Sequence, residues 1–174
     1  MSPERVRFAP SSELAERVEQ VFAAIRNEIG DLLPDATIEH MGATSVPGSI
    51  TKGDLDVLVA VEVADFGRAS RALAARYSIH QPENWTPSFA SFSAPPRDGL
   101  PVGVQLVAVG SLEERQFLGL RDLLRARPDL VERLNDLKRS FEGRDSGEYW
   151  RAKQGLIEAL LDEHGLGGAP QPPP

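Results

Sequence analysis

Cysteine is absent from the 174 residues. That excludes a disulfide scaffold, thiol catalysis and any thiolate metal site. A reducing compartment fits, and a cytoplasmic location is expected. Basic residues are the minority, 19 against 26 acidic, for a formal net charge of −7. A broad basic face for duplex nucleic acid is therefore not expected, while a local basic pocket for phosphates remains open. No apolar run approaches the ~20 residues that span a bilayer, so no membrane partner is expected. The opening MSPERVRFAP lacks the apolar core of a signal peptide. Internal repeats, zinc-ligand spacing, a Walker loop and a Ser-His-Asp order are all missing. What remains is an ordinary globular composition, 41% hydrophobic and 26% charged. A chain of this length buries roughly 70% of its unfolded surface and needs no staples.

Ser11 or Ser12 caps a helical pattern in which Leu14, Val18, Val21, Phe22, Ile25 and Ile29 recur at helical spacing. Gly30 and Pro34 are expected to close it. Residues 36–41 read as a short strand, followed by the small-residue loop GATSVPGSITKG. Residues 54–63, DLDVLVAVEV, read as a strand buried on both faces after its first residues. A helix over 65–76 is capped by Asp65, and 77–80 form a short strand. Five of the fourteen prolines fall in 81–101, around the alternating SFASFSA, which reads as an edge strand. Residues 102–109, VGVQLVAV, are another strong strand. The capping box Ser111-Leu112-Glu113-Glu114 opens a helical region to His164, split into three by Pro128 and by Gly143–Gly147. The reading is an α+β fold: a small mixed sheet packed with helices over residues 1–110, then C-terminal helices over 111–164 of the same domain. The Gly/Pro-rich tail 165–174 is expected to be a disordered end. The strands 36–41, 54–63 and 102–109 are expected as neighbours, with the C-terminal helices closing a cleft.

The informative segment is HMGATSVPGSITKGDLDVLV, residues 40–59. A strand ends in Gly42. The backbone N–H groups of the loop after it are suited to cradling phosphate oxygens. Ten residues separate Ala43 from Asp54-Leu55-Asp56 at the start of a strand. Residues i and i+2 of a strand share a face, so both carboxylates project together while Leu55 enters the core. Two like charges side by side raise proton affinity and cost stability unless a cation lies between them. Oxygen donors beside a phosphate-cradling loop point to Mg²⁺ bridging to a nucleoside triphosphate. The competing reading is a strand that begins with solvated acids.

Gly42-Ala43 followed by Asp54-Leu55-Asp56-Val57 resembles the signature of the polymerase-beta-type nucleotidyltransferase superfamily. More narrowly, the segment resembles the GrpB family, whose hallmark reads H-I-G-S-T-S-V-P-G followed by Lys and the acidic strand. Arg121-Asp122-Leu123-Leu124-Arg125-Ala126-Arg127-Pro128, Leu137-Lys138 and Tyr149 with Lys153 are similar to later family segments. The resemblance covers roughly residues 12–163. It implies nucleotidyl transfer from a nucleoside triphosphate such as ATP to a small-molecule or protein acceptor. Asp54 and Asp56 would be the metal ligands and catalytic acids. Gly42, Ala43, Thr44, Ser45, Lys52, Gln105, Arg121, Lys138, Tyr149 and Lys153 would contact the nucleotide. Two departures stand out. Ala43 replaces the signature's Ser or Gly. Gln105 occupies the place of a third acid on the 102–109 strand, where family members tend to carry His-x-His, matched here by Gly103 and Gln105.

The rival reading is a non-catalytic nucleotide- or cofactor-binding module. The fusion of similar domains to dephospho-CoA kinase links that reading to coenzyme A metabolism. A third reading is a protein-interaction domain with vestigial acids. His40 is expected as a packed or hydrogen-bonded structural residue, with His80 and His164 at the surface. Trp85 and Trp150 are expected at the core edge. Acceptor, base preference and oligomeric state are not legible.

Overall fold

The computed structural model describes residues 5–168. Five strands form a mixed sheet: β2 (Thr37–Met41), β4 (Leu55–Val61), β5 (Ser78–His80), β6 (Phe89–Arg97) and β7 (Leu100–Ala108). The order is β2-β4-β7-β6-β5, so the three strands expected as neighbours are neighbours. β4 and β7 run parallel and every other pairing is antiparallel. A separate two-stranded ribbon pairs β1 (Ala9–Pro10) with β3 (Ile50–Thr51). Five helices complete the α+β fold: α1 (Ala15–Leu32), α2 (Phe66–Arg76), α3 (Leu112–Ala126), α4 (Pro128–Ser140) and α5 (Ser146–Glu163).

The apolar run of β4 is buried because both faces of the sheet are covered. Leu55, Val57, Val59 and Val61 face α1 and α2, where they join Ile25, Ile29 and Leu73 in the main core. On the opposite face Leu58 and Ala60 pack with Met41 and Val107 beneath Phe117 and Leu118 of α3. A third cluster, built on Leu130, Leu134 and Leu160, binds α3, α4 and α5 into a helical layer.

Several boundaries differ from the sequence reading. Ser11 does not cap α1. Residues Ser11–Leu14 form a 3₁₀ turn, and the Ser11 N–H donates to Ser49 O at 2.9 Å, fastening the chain to the loop instead. Gly30 lies inside α1, which continues until Leu33, whose N–H still reaches Ile29 O. Asp65 precedes α2 but makes no cap, because its carboxylate is taken by Arg68 at 2.9 Å. β4 ends at Val61, and Val63–Asp65 turn into α2. The alternating SFASFSA segment is interior rather than an edge, since β5 pairs outside it. Pro95 and Pro96 are tolerated there because they fall where the register shifts between Ala94 and Arg97. The Ser111 cap is present, its side chain accepting from the Glu114 N–H. In the segment read as a disordered tail, Leu166 O accepts from Gln116 Nε2 at 3.2 Å; residues 169–174 lie outside the described residues.

Candidate functional site

Asp54 lies just before β4 and Asp56 within it. Leu55 between them is fully buried, so strand alternation turns both carboxylates to the α3 face. Asp56 pairs with Met41 on one side and with Gly103 on the other. Its carboxylate lies directly over the backbone of two glycines. A Cβ at Gly42 would overlap Asp56 Oδ2, and one at Gly103 would stand 3.0 Å from Oδ1. Gly42 also has φ +72°, a left-handed conformation that glycine adopts without strain. The signature glycine therefore has two physical reasons: the turn of the chain and the room Asp56 takes.

Asp56 has its proton affinity raised, chiefly by burial and then by the charge of Asp54. Lys153, a hydrogen bond from Gln105, and Lys52 act in the opposite sense without cancelling it. Gln105 thus faces Asp56 from β7, in the position read for the third acid, as a neutral donor. Lys52 Nζ stands 3.5 Å from Asp54 Oδ2, both side chains about 40% exposed. Tyr149 on α5 is buried between Phe8 and Phe141, with centroids at 5.1 and 6.0 Å. Burial, with Asp54 second, pushes its phenol up to about 12. Asp54, Asp56, Lys52, Gln105, Tyr149 and Lys153 are therefore brought to one place, at the mouth between the sheet and α5.

The loop after β2 meets them there. Residues Ala43–Ser45 form a single 3₁₀ turn that starts at Gly42. At the start of such a turn the N–H groups of Ala43 and Thr44 have no partner within it. The hydroxyls are spent internally: Ser45 Oγ donates to Gly42 O at 2.7 Å, and Thr44 Oγ1 donates to Asp54 O at 3.3 Å. Thr44 Oγ1 also hydrogen-bonds His40 Nε2 at 2.9 Å, with the direction set by the imidazole tautomer. His40 stacks on Phe22 at 5.2 Å, and burial with the nearby Arg125 and Arg121 pushes it down to about 4. It is the neutral structural histidine expected from the sequence.

Arg121 and Arg125 of α3 bond to neighbouring elements. Arg121 donates to Glu39 at 2.7 Å, to Asp122 at 2.8 Å and to His40 O at 3.4 Å. Its guanidinium is thus paired with Glu39 of β2 and with its own neighbour Asp122. Arg125 Nε donates to Ser45 O at 2.9 Å. Lys138 of α4 is 4% exposed and donates to Ile50 O at 2.6 Å and to Ser49 Oγ at 3.3 Å. Burial, and then Lys153, push its ammonium down to about 7. Sequence reasoning missed Asn135, 1% exposed, which bonds to Gly48 O and Ile50 N–H. Its signal was available: Val131, Leu134, Asn135 and Lys138 share the buried stripe of α4, and two of the four are polar.

Two carboxylates on one face suit a hard cation that draws its other ligands from phosphates and water. Among the described residues no group of three or more His, Cys, Asp or Glu forms a metal cluster. A wide trough of about 740 Å³ between α1 and β2 contains none of the candidate site residues read from the sequence.

Residues 11–163 match the family model described as GrpB protein. A UPF0157 protein of Vibrio cholerae is 36% identical over 161 residues, covering 92% of this chain and 84% of that protein. One from Streptomyces coelicolor is 30% identical over 168 residues, covering 94% and 87%. The crystal structure of the conserved protein GrpB from Enterococcus faecalis shares the fold at TM-score 0.67 and 18% identity, over 91% of this chain and 99% of that one. Cid1, described as having RNA terminal uridylyl transferase activity, shares it at TM-score 0.51 and 12% identity, over 75% of this chain and 41% of that one.

Proposed function

This chain belongs to the GrpB family, and we propose that it binds a Mg²⁺–nucleoside triphosphate at Asp54 and Asp56 and transfers the nucleotidyl group to an acceptor hydroxyl or amine. One observation carries the reading: the Asp56 carboxylate is seated against the backbones of Gly42 and Gly103, beneath the loop whose first N–H groups lack partners within their turn. The nucleotidyltransferase-like fold supports it, since Cid1 has been solved with a UTP analogue at TM-score 0.50.

Asp54 and Asp56 would hold the cation, which when bound neutralises charge on the triphosphate. The backbone of residues 42–48 would hold the β- and γ-phosphates, aided by Lys52 and by Lys153 from the helical wall. Tyr149 keeps water from one side of the carboxylates. The acceptor atom attacks the α-phosphorus, the bond to the bridging oxygen breaks, and pyrophosphate leaves. The acceptor proton passes to water, because Gln105 is no base. Positioning and electrostatics then supply the acceleration. ATP is the first nucleotide to test.

Gln105 also favours a second reading, a nucleotide- or cofactor-binding module without turnover. Pyrophosphate release and Mg²⁺-dependent binding of ATP and UTP, measured on the wild type and Gln105→Asp, separate the two. Under the transfer reading release is slow, rises with pH, and increases in Gln105→Asp, which restores a carboxylate facing Asp56. Binding without release in either protein, across a broad acceptor panel, would leave the module reading. No Mg²⁺-dependent binding at all would end the transfer reading and the nucleotide-binding form of the module reading.

A further inference from the structure

The loop from Gly42 to Ile50 contains little that packs, yet its backbone is held along its length. Ser45 Oγ occupies Gly42 O, Arg125 occupies Ser45 O, and the Ser11 N–H occupies Ser49 O. The remaining stretch, Gly48 to Ile50, is held from α4. Asn135 Nδ2 donates to Gly48 O at 2.8 Å, and Asn135 Oδ1 accepts from the Ile50 N–H at 3.0 Å. A single carboxamide thus offers the backbone the donor and the acceptor that a neighbouring strand would have offered. Lys138, one turn further along α4, closes Ile50 O. Asn135 lies more than 70 residues from Asp56 in sequence and has no contact of its own with the carboxylate pair among its hydrogen bonds.

We propose that Asn135 is a positioning residue, whose carboxamide clamps residues 48–50 and thereby sets the 42–48 loop against Asp56 in the geometry that receives the phosphates. The link to phosphates rests on the proposed function; the clamp itself does not. The physical argument is one of cost. A buried amide that loses its partner leaves a backbone donor and a backbone acceptor unpaired together. The loop has no apolar anchor besides the buried Val46 to offset that loss. The loop is then expected to open locally well before the sheet does.

The test uses the full chain with Asn135→Leu, which removes both bonds at similar volume, and Asn135→Asp, which keeps the acceptor for Ile50 but cannot donate to Gly48. Leu134→Val, which thins the helical core instead, controls for general destabilisation. Amide hydrogen exchange of residues 45–50 is read against exchange in β4 and β7, and MgATP and MgUTP affinities are read by calorimetry. Asn135→Leu is expected to speed exchange at Ile50 and at residues 45–49 about tenfold or more, with β4 and β7 much less affected, and to weaken MgATP about tenfold. Asn135→Asp, with one bond kept, is expected to fall between. Leu134→Val is expected to lower the melting temperature without singling out the loop. Unchanged loop exchange in both Asn135 variants, or equal loop loosening in Leu134→Val, would overturn the clamp. Loosened exchange with undiminished MgATP affinity would overturn its role at the site. If the wild type binds neither nucleotide, the proposed function fails, and loop exchange alone decides for or against the clamp. Should Asn135→Leu not fold, Asn135→Asp carries the same comparison.

Discussion

Two carboxylates in this molecule are treated in opposite ways. Glu28, on α1, accepts from Arg76 at 3.0 Å and from the Tyr77 hydroxyl at 2.9 Å, and is also bound by Arg97. Burial works to raise its pKa, yet the hydrogen bonds from these three partners and the Arg97 charge outweigh it and hold it near 2. The cluster ties α1, the end of α2 and β6 together. Asp56, on the other face of the sheet, meets burial and a second carboxylate, with compensation from lysines and a neutral amide that falls short. The difference separates a carboxylate supplied with its counter-charges from one whose compensation falls short. Where an acid is structural, the protein supplies its counter-charges. At Asp54 and Asp56 the proposed function would supply the missing counter-charge as a bound cation.

The largest expected effect breaks the functional side of this comparison. Asp56→Asn is expected to abolish pyrophosphate release and Mg²⁺-dependent nucleotide binding, by a hundredfold or more, because one of only two anionic ligands is lost. The same change is expected to leave the metal-free melting temperature unchanged or raised by a few degrees, since it relieves like-charge repulsion. Calorimetry with ATP and a thermal melt read both. A fall in stability without loss of binding would reverse the assignment.

Glu28→Gln is the mirror experiment. It leaves two arginines without their shared anion and is expected to cost about 1–2 kcal/mol, discounted because Arg76 is largely exposed. A domain of this size then melts lower by roughly 2–8 °C. Mg²⁺-dependent binding should be untouched. Equal losses of binding in Glu28→Gln and Asp56→Asn would erase the distinction drawn above.

Acid sharpens it further. Glu28 is held near 2 against an ordinary 4.5. Its stabilisation is complete above pH 4.5 and is lost as pH falls through that interval toward 2. Asp56 is raised, so the folded state binds its proton more tightly than the unfolded chain does. Stability from Asp56 therefore grows as pH falls toward the ordinary carboxyl range. Melts between pH 3 and 8 should show a shallower acid loss for Glu28→Gln than for the wild type. Asp56→Asn should lose the compensating gain. Parallel pH curves for all three proteins would remove both assignments.

The same contrast marks what the sequence makes legible. β4 and β7 could be read from their valine and leucine runs, and the acid pair from its spacing, because alternation acts over neighbouring residues. Glu28 could not be read, since its partners lie at residues 76, 77 and 97 and only the fold assembles them. The β1–β3 ribbon pairs two residues with two across forty positions and leaves no periodic trace. Arg121 and Arg125 fall in a segment similar to the family's, and a helix of arginines reads the same whether it faces an anion or backbone carbonyls. Their commitment to Glu39, Asp122 and Ser45 O depends on how α3 crosses β2. Lys138 is legible in the sequence only through its place in a family-like segment, and Asn135 only as a polar position on the apolar stripe of α4, which does not show its partner.

The smallest effect belongs to Lys52. Its 3.5 Å approach to Asp54 is a pairing of two side chains about 40% exposed. Solvent screens such a pair, and exposed ion pairs contribute about 0–1 kcal/mol. Lys52→Met should therefore leave the melting temperature within a degree or two. Under the proposed function, Lys52 would turn from Asp54 to a phosphate when the Mg²⁺–nucleotide binds. Removing it should weaken nucleotide binding only a few-fold, and more at low salt than at high, because an exposed cation acts through a screened field. Affinities for MgATP at about 0.05 M and 0.5 M salt, wild type against Lys52→Met, measure this. A salt-independent loss as large as that of Asp56→Asn would make Lys52 a principal ligand and place the phosphates closer to residue 52 than the loop geometry implies.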